Sequence, residues 1–136
     1  IKPDIVVYGK GLGNGYPISC VVGKKTYLEY SNKSFASSTA WTERTGFVAA
    51  TAMIDFFVKK KVNQHILKIG NKIKKGWLKL AKKNNLILRV SEVPPLCTFF
   101  LDYHNKEELY TLFTKEMPKK KIIASNSIYV SYSHKS

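Results

Sequence analysis

The apolar positions of this chain change their spacing several times. Asp4 to Tyr8 is a short apolar run that predicts a buried strand, and Ile18 to Val22 predicts a second. Between them lies the glycine loop Gly9-Lys10-Gly11-Leu12-Gly13-Asn14-Gly15, followed by Tyr16-Pro17. Gly23 and Lys24-Lys25 predict a turn toward Tyr27 to Tyr30, and Ser31 to Thr39 is a polar, serine-rich connection without a period. From about Thr42 the spacing becomes helical: Gly46, Ala50, Met53, Ile54 and Phe57 form an apolar stripe, with small residues that permit close packing. A second helix is predicted over Val62 to Lys83, where Val62, Ile66, Ile69, Ile73, Trp77 and Leu80 recur at steps of three and four. Lys68, Lys72, Lys75, Lys79, Lys82 and Lys83 take its other face, and Asn84-Asn85 is its stop.

The last third alternates instead. Leu86 to Val90 and Cys97 to Tyr103 predict strands on either side of a turn at Pro94-Pro95. Asn105, with Glu108 three residues on, predicts a capped helix closing at Pro118. Ile122 to Ala124 and Ile128 to Ser133 then predict two strands around Ser125-Asn126-Ser127, which completes a β-β-α-β unit. Tyr129, Tyr132 and their aromatic neighbours are expected in its core. There is no internal repeat.

Composition narrows the class. With 136 residues, 44% of them apolar, the chain permits one domain or pieces of two. The absence of an initiator Met and the immediate entry into a strand make a piece of a longer protein the expected reading. No apolar stretch approaches the ~18 residues of a membrane span, and no secretory leader is visible, so a cytoplasmic protein is expected. Cys20 and Cys97 have no second Cys or His at ligand spacing, so they are expected to be reduced, buried small residues, with no metal. The net charge of +14 is concentrated: residues 59 to 91 carry +11 of it. A basic nucleic-acid-binding module is therefore one reading. Against it, nucleic-acid surfaces favour arginine, and only Arg44 and Arg89 stand beside 21 lysines. A solvated lysine face is the expectation.

The glycine loop carries the candidate chemistry. The dinucleotide pattern would need glycine at 14 or 16, where Asn14 and Tyr16 stand, and the phosphate loop would need Ser or Thr where Gly11 follows the lysine. What remains is a lysine at the carboxyl end of a strand, flanked by glycines that let a bulky planar group approach the backbone. That place suits an amine that attacks a carbonyl, although on the residues alone an ordinary loop lysine is the favoured reading.

Pro3-Asp4-Ile5-Val6-Val7-Tyr8-Gly9-Lys10-Gly11-Leu12-Gly13-Asn14-Gly15-Tyr16-Pro17-Ile18-Ser19, with Val21-Val22-Gly23, resembles the cofactor-lysine segment of class III pyridoxal-phosphate-dependent aminotransferases. Ser37-Ser38-Thr39-Ala40-Trp41-Thr42-Glu43-Arg44 and Tyr129-Val130-Ser131-Tyr132-Ser133-His134 resemble the glutamate-1-semialdehyde aminomutase-like branch. The resemblance implies an α/β fold of type I, like aspartate aminotransferase. Residues 1–58 would then be the C-terminal part of the large cofactor-binding domain, 59–85 a long connecting helix, and 86–136 an incomplete small α+β C-terminal domain. It implies an enzyme with pyridoxal 5′-phosphate as cofactor, transferring an amino group through a lysine Schiff base between a small-molecule amino donor and a carbonyl acceptor. A 2,1-aminomutase is the alternative. Carried over by position, Lys10 is the catalytic, cofactor-holding lysine. Thr39 contacts the cofactor phosphate from the neighbouring subunit of a homodimer with shared active sites, and Ser38 is a weaker phosphate candidate. The family's pyridine-nitrogen carboxylate, ring-stacking aromatic and main phosphate loop lie upstream of the lysine and have no counterpart in these residues, so the isolated chain is expected to be inactive. A carboxylate-binding arginine near the C-terminal end is also missing, because Arg89 is the last arginine.

No other constellation competes. His65, His104 and His134 are scattered and take no catalytic assignment, and no G-x-S-x-G motif makes Ser19 or Ser38 a nucleophile. Glu43 and Arg44 read either as site neighbours or as a solvated pair at a helix start. A remnant that keeps the fold without activity is the third reading.

Overall fold

The structure, a computed structural model, describes every residue except Ile1, Ala36, Ser38, Ala40, Trp41 and Ser136. It divides into two compact units, Ile1–Lys60 and Lys61–Ser136.

In the first unit β1 (Ile5–Tyr8) pairs antiparallel with β2 (Cys20–Gly23), Ile5 opposite Gly23 and Tyr8 opposite Cys20. The open end is tied by Lys24 N–H to Asp4 O at 3.0 Å and by a Lys24–Asp4 ion pair at 2.5 Å. β2 starts two residues later than its apolar run predicts. Pro17 has no N–H, and Ile18 N–H bonds to Tyr16 O at 2.9 Å, so residues 16–19 stay out of the ladder. The expected burial of the first strand is corrected too: Ile5 and Val7 are exposed by 46% and 66%, and Tyr8 and Val22 on the other face of this two-stranded sheet are exposed as well. Cys20, expected to be buried, is likewise exposed.

After β2, Lys25–Leu28 forms a single helical turn, α1, that runs into a 3-10 turn to Lys33 where only a simple turn is predicted. Ser31 and Ser34 hydroxyls donate to Leu28 O and Tyr30 O, so the serine-rich stretch begins by bonding back to its own helix end. α2 spans Thr45–Lys59, three residues late, because Glu43 remains outside it and accepts the Thr45 N–H at 2.8 Å. That carboxylate satisfies one of the first-turn donors that a helix leaves unpaired. Of the predicted stripe, Gly46 and Ala50 are buried.

The second unit begins with α3 (Val62–Lys83), buried at Val62, Ile69, Gly70 and Ala81, with the predicted lysine face exposed. It stops where Asn84-Asn85 predicts. Asn85 takes a left-handed φ of 53°, Leu86 N–H reaches back to Ala81 O at 2.9 Å, and the Asn84 amide caps Leu80 O at 2.8 Å. Three antiparallel strands follow, with β4 (Leu96–Leu101) between β3 (Leu88–Val90) and β5 (Ser127–Tyr129). Ser91 braces the Pro94-Pro95 turn: its hydroxyl donates to Leu96 O and accepts Thr98 N–H. α4 (Lys106–Glu116) starts after Asn105 as expected, yet the Asn105 side chain makes no capping bond.

The predicted strand at Ile122 to Ala124 is absent. Lys121 turns left-handed at φ 61° and Ile122 N–H bonds back to Met117 O, which holds the segment as a helix-end extension with Ile123 fully exposed. β5 ends early because Pro95, opposite Val130, accepts its N–H but has none to return, and residues 131–134 turn, with Ser131 N–H on His134 Nδ1 at 3.0 Å. Tyr129, expected in the core, is 77% exposed. The core is Phe99, ringed by Trp77, Tyr110 and Phe113 at centroid distances of 5.2, 6.1 and 5.4 Å, and the fully buried Cys97. The Cys97 thiol donates to Pro94 O at 3.0 Å and lies 3.4 Å from Gly70 O. Among the described residues no helix is long and apolar enough to cross a membrane.

Candidate functional site

β1 delivers the chain to Gly9, which is extended, and then the backbone reverses hand at Lys10, with φ of 51°. A left-handed lysine is uncommon, because its Cβ crowds the following carbonyl at a cost of about 1–2 kcal/mol. Such strain concentrates where a side chain must be presented in one direction. Lys10 opens a 3-10 turn, Lys10–Leu12, stabilised by Leu12 N–H to Gly9 O at 3.3 Å and Asn14 N–H to Gly11 O at 3.2 Å. Asn14 at φ 47° and Gly15 at φ 106° then swing the chain back toward β2.

The glycines divide by what surrounds them. A Cβ on Gly11 would meet nothing within 4 Å, and one on Gly9 would meet only Ser19 Cβ at 3.7 Å, so backbone beside Lys10 is open to an approaching group. Gly13 is the opposite case: a Cβ there would lie 2.1 Å from Tyr16 O and 2.8 Å from Ile18 Cγ2. Lys10 is exposed, and among the described residues its Nζ has no hydrogen-bond or ion-pair partner. An open glycine cradle beside an unengaged amine fits a planar carbonyl cofactor.

A cavity of about 540 Å³ adjoins this turn, walled by Tyr8, Gly9, Gly11, Leu12, Cys20, Val22, Met53, Ile54 and Phe57. Its lining has no charged side chain, so a phosphate would find no counter-charge there. The walls suit packed apolar chain instead. Thr39 is exposed in a turn, and no hydrogen bond or ion pair joins it to Lys10 among the described residues. Ser38 lies outside the described residues.

Glu43 is an exposed helix-start carboxylate, held below the usual carboxylate range by hydrogen bonds from the Thr45 hydroxyl and the Thr45 N–H. The sequence marks Gly46 only as a packing position; in the structure it meets Ile18 and Tyr16, with Ile18 Cδ1 3.2 Å and Tyr16 Cε1 3.3 Å from where its Cβ would be. Only the smallness of Gly46 could have signalled that contact. Within the second unit, His65 Nε2 meets His134 O at 2.8 Å, and the His65 ring packs on Tyr132.

The family model of class-III aminotransferases matches residues 1–126. The chain is 32% identical over 108 residues to the 2'-deamino-2'-hydroxyneamine transaminase of Streptomyces kanamyceticus, covering 79% of this chain and 27% of that protein. It is 31% identical over 114 residues to a glutamate-1-semialdehyde 2,1-aminomutase of Clostridium botulinum, covering 81% and 27%. Among solved structures, the PLP internal aldimine form of the Sphingopyxis sp. MTA144 FumI protein superposes with a TM-score of 0.88 at 18% identity, over 99% of this chain and 33% of that one. The chain thus spans about a quarter of the length of the curated relatives it matches. Its strand-glycine-lysine turn, its two units and the extent of the match lead to one conclusion: this chain belongs to the class-III aminotransferase family.

Proposed function

We propose that the complete protein is a pyridoxal-phosphate-dependent aminotransferase and that Lys10 holds its cofactor. The carrying observation is Lys10 at the end of β1, its amine unengaged between two glycines open to an approaching group. Bound pyridoxal phosphate supplies the electron sink that lets a carbon next to the substrate nitrogen lose a proton. Lys10 Nζ would be the group that holds the cofactor, at its carbonyl carbon. When not engaged with the cofactor, the same Nζ would be a tethered base able to take and return that proton. Gly9 and Gly11 keep the backbone clear on both sides of it.

Residues 1–58 belong to the cofactor-binding domain in this reading, 59–85 connect, and 86–136 form part of a small domain. The active unit is a homodimer in which Thr39, with Ser38 beside it, reaches the phosphate held by the neighbouring subunit. A randomly reassorted equal mixture of Lys10→Ala and Thr39→Asp chains should then recover about a quarter of wild-type activity, since half the dimers are mixed and each of those has one intact site of two. No recovery would remove Thr39 from that role. The two free cysteines suit a reducing compartment, and the cytoplasm is the location proposed.

The direct test of Lys10 is Lys10→Ala in the complete protein, which should bind the cofactor only non-covalently and lose turnover. Retained turnover would refute the assignment. A 2,1-aminomutase is the second reading, favoured by the Clostridium botulinum relative. It would convert an amino-aldehyde without any separate amino acceptor, whereas a transaminase stalls after one half-reaction when the acceptor is withheld.

A further inference from the structure

We propose that Gly46, at the start of α2, is a positioning residue for Lys10, acting through Ile18, Tyr16 and Gly13; the inference rests on Lys10 being the cofactor lysine. Ile18 is wedged between two glycines. On one side, a Cβ added to Gly46 would lie 3.2 Å from Ile18 Cδ1, 3.4 Å from Ile18 Cβ and 3.3 Å from Tyr16 Cε1. On the other, a Cβ on Gly13 would lie 2.8 Å from Ile18 Cγ2 and 2.1 Å from Tyr16 O. The first set of contacts is tight and the second is closed, so a methyl on Gly46 that displaces Ile18 and Tyr16 toward the loop presses them on Gly13.

Gly13 has no slack to absorb that push. It is buried, its O accepts Tyr16 N–H at 3.1 Å, and Ile18 N–H is in turn bound to Tyr16 O at 2.9 Å. Gly13 also caps the 3-10 turn that Lys10 opens, with its N–H on Gly11 O. A displacement of Ile18 by a few tenths of an ångström is therefore passed to a three-residue turn whose first residue already sits in a strained conformation. Reacting groups held more than about 0.5 Å from the productive geometry lose rate steeply, and a misplacement of 1 Å can cost roughly 100-fold.

The test is made in the complete holoenzyme with Gly46→Ala. The expected result is a kcat reduced about ten-fold with KM nearly unchanged, together with a shifted pH midpoint of the bound cofactor's visible absorption. Adding Ile18→Val, which deletes the Cδ1 atom at 3.2 Å, should recover most of both. Unchanged kcat and midpoint in Gly46→Ala would overturn the inference. Should Gly46→Ala be destabilised, the double variant decides: recovery of kcat supports the relay, and persistent loss overturns it. Borohydride labelling of the wild-type holoenzyme separates the two levels. Label absent from Lys10 refutes the cofactor lysine and the inference together; label on Lys10 with an indifferent Gly46→Ala refutes the inference alone.

Discussion

Gly70→Ala and Gly76→Ala are the same change in the same helix, and the structure gives them opposite signs. At Gly70 the new methyl would lie 2.0 Å from Pro94 O, 2.6 Å from Pro94 C and 3.0 Å from Pro94 Cβ. The first of these falls short of an ordinary 3.4 Å contact by 1.4 Å, and the obstruction is backbone, so α3 and the Pro94 turn must part. Overpacking of this kind costs about 1–3 kcal/mol, and the upper end applies where backbone blocks the methyl. Parting also pulls Gly70 O from the buried Cys97 thiol, a further loss of about 0.5–1 kcal/mol, while helix propensity returns about 1 kcal/mol. The net is about 2–3 kcal/mol destabilising. At Gly76 nothing lies within 4 Å, so only the propensity gain of about 0.5–1 kcal/mol remains. The two variants should differ by about 3 kcal/mol, roughly 100-fold in the unfolding equilibrium. Urea unfolding in a Trp41→Phe background, followed by Trp77 fluorescence, reads the unit in which both glycines sit. Equal stability of the two variants, or a stabilised Gly70→Ala, would refute the packing described.

Further expectations concern titration and charge. Burial pushes the Cys97 thiol above its ordinary value, outweighing an opposing pull from Lys74. A raised value in the fold means that this contribution is complete below the unfolded thiol's value of about 8.5 and is lost as pH rises through the folded one, so alkaline titration should destabilise wild type more than Cys97→Ala. Glu43 is the reverse: its lowered carboxyl contributes above the unfolded value of about 4.3 and is lost as pH falls through the folded one, and Glu43→Gln should flatten that acid limb of the melting curve. Changing Lys72, Lys75 and Lys79 together to Gln should leave the complete enzyme's stability and turnover nearly unchanged, because these lysines are exposed and unpaired among the described residues. A large loss of activity would instead revive a functional basic surface.

What could be read from sequence follows from where local chemistry decides structure. The lysine-faced helix and its stop at Asn84-Asn85 were legible because period and left-handed asparagine both act within a few residues. The lysine at a strand end was legible for the same reason. Ile122 to Ala124 misled because its apolar residues suit a strand, yet the hydrogen bond from Ile122 to Met117 O captures it first. The exposure of Val7 and Cys20 was not legible, since an apolar strand reads as buried whether or not its second layer is present. In the candidate site, the wedge of Ile18 between Gly13 and Gly46 depends on an approach between Ile18 and Gly46, 28 positions apart, which no local pattern records.

The central claim is that one lysine among 21 carries the cofactor. Borohydride reduction of the complete protein loaded with pyridoxal phosphate, followed by proteolysis and mass mapping, tests it most directly. The cofactor mass should be fixed on the peptide containing Tyr8-Gly9-Lys10-Gly11, at Lys10. Stoichiometric label on any other lysine, or none on this peptide in an active enzyme, would contradict the account.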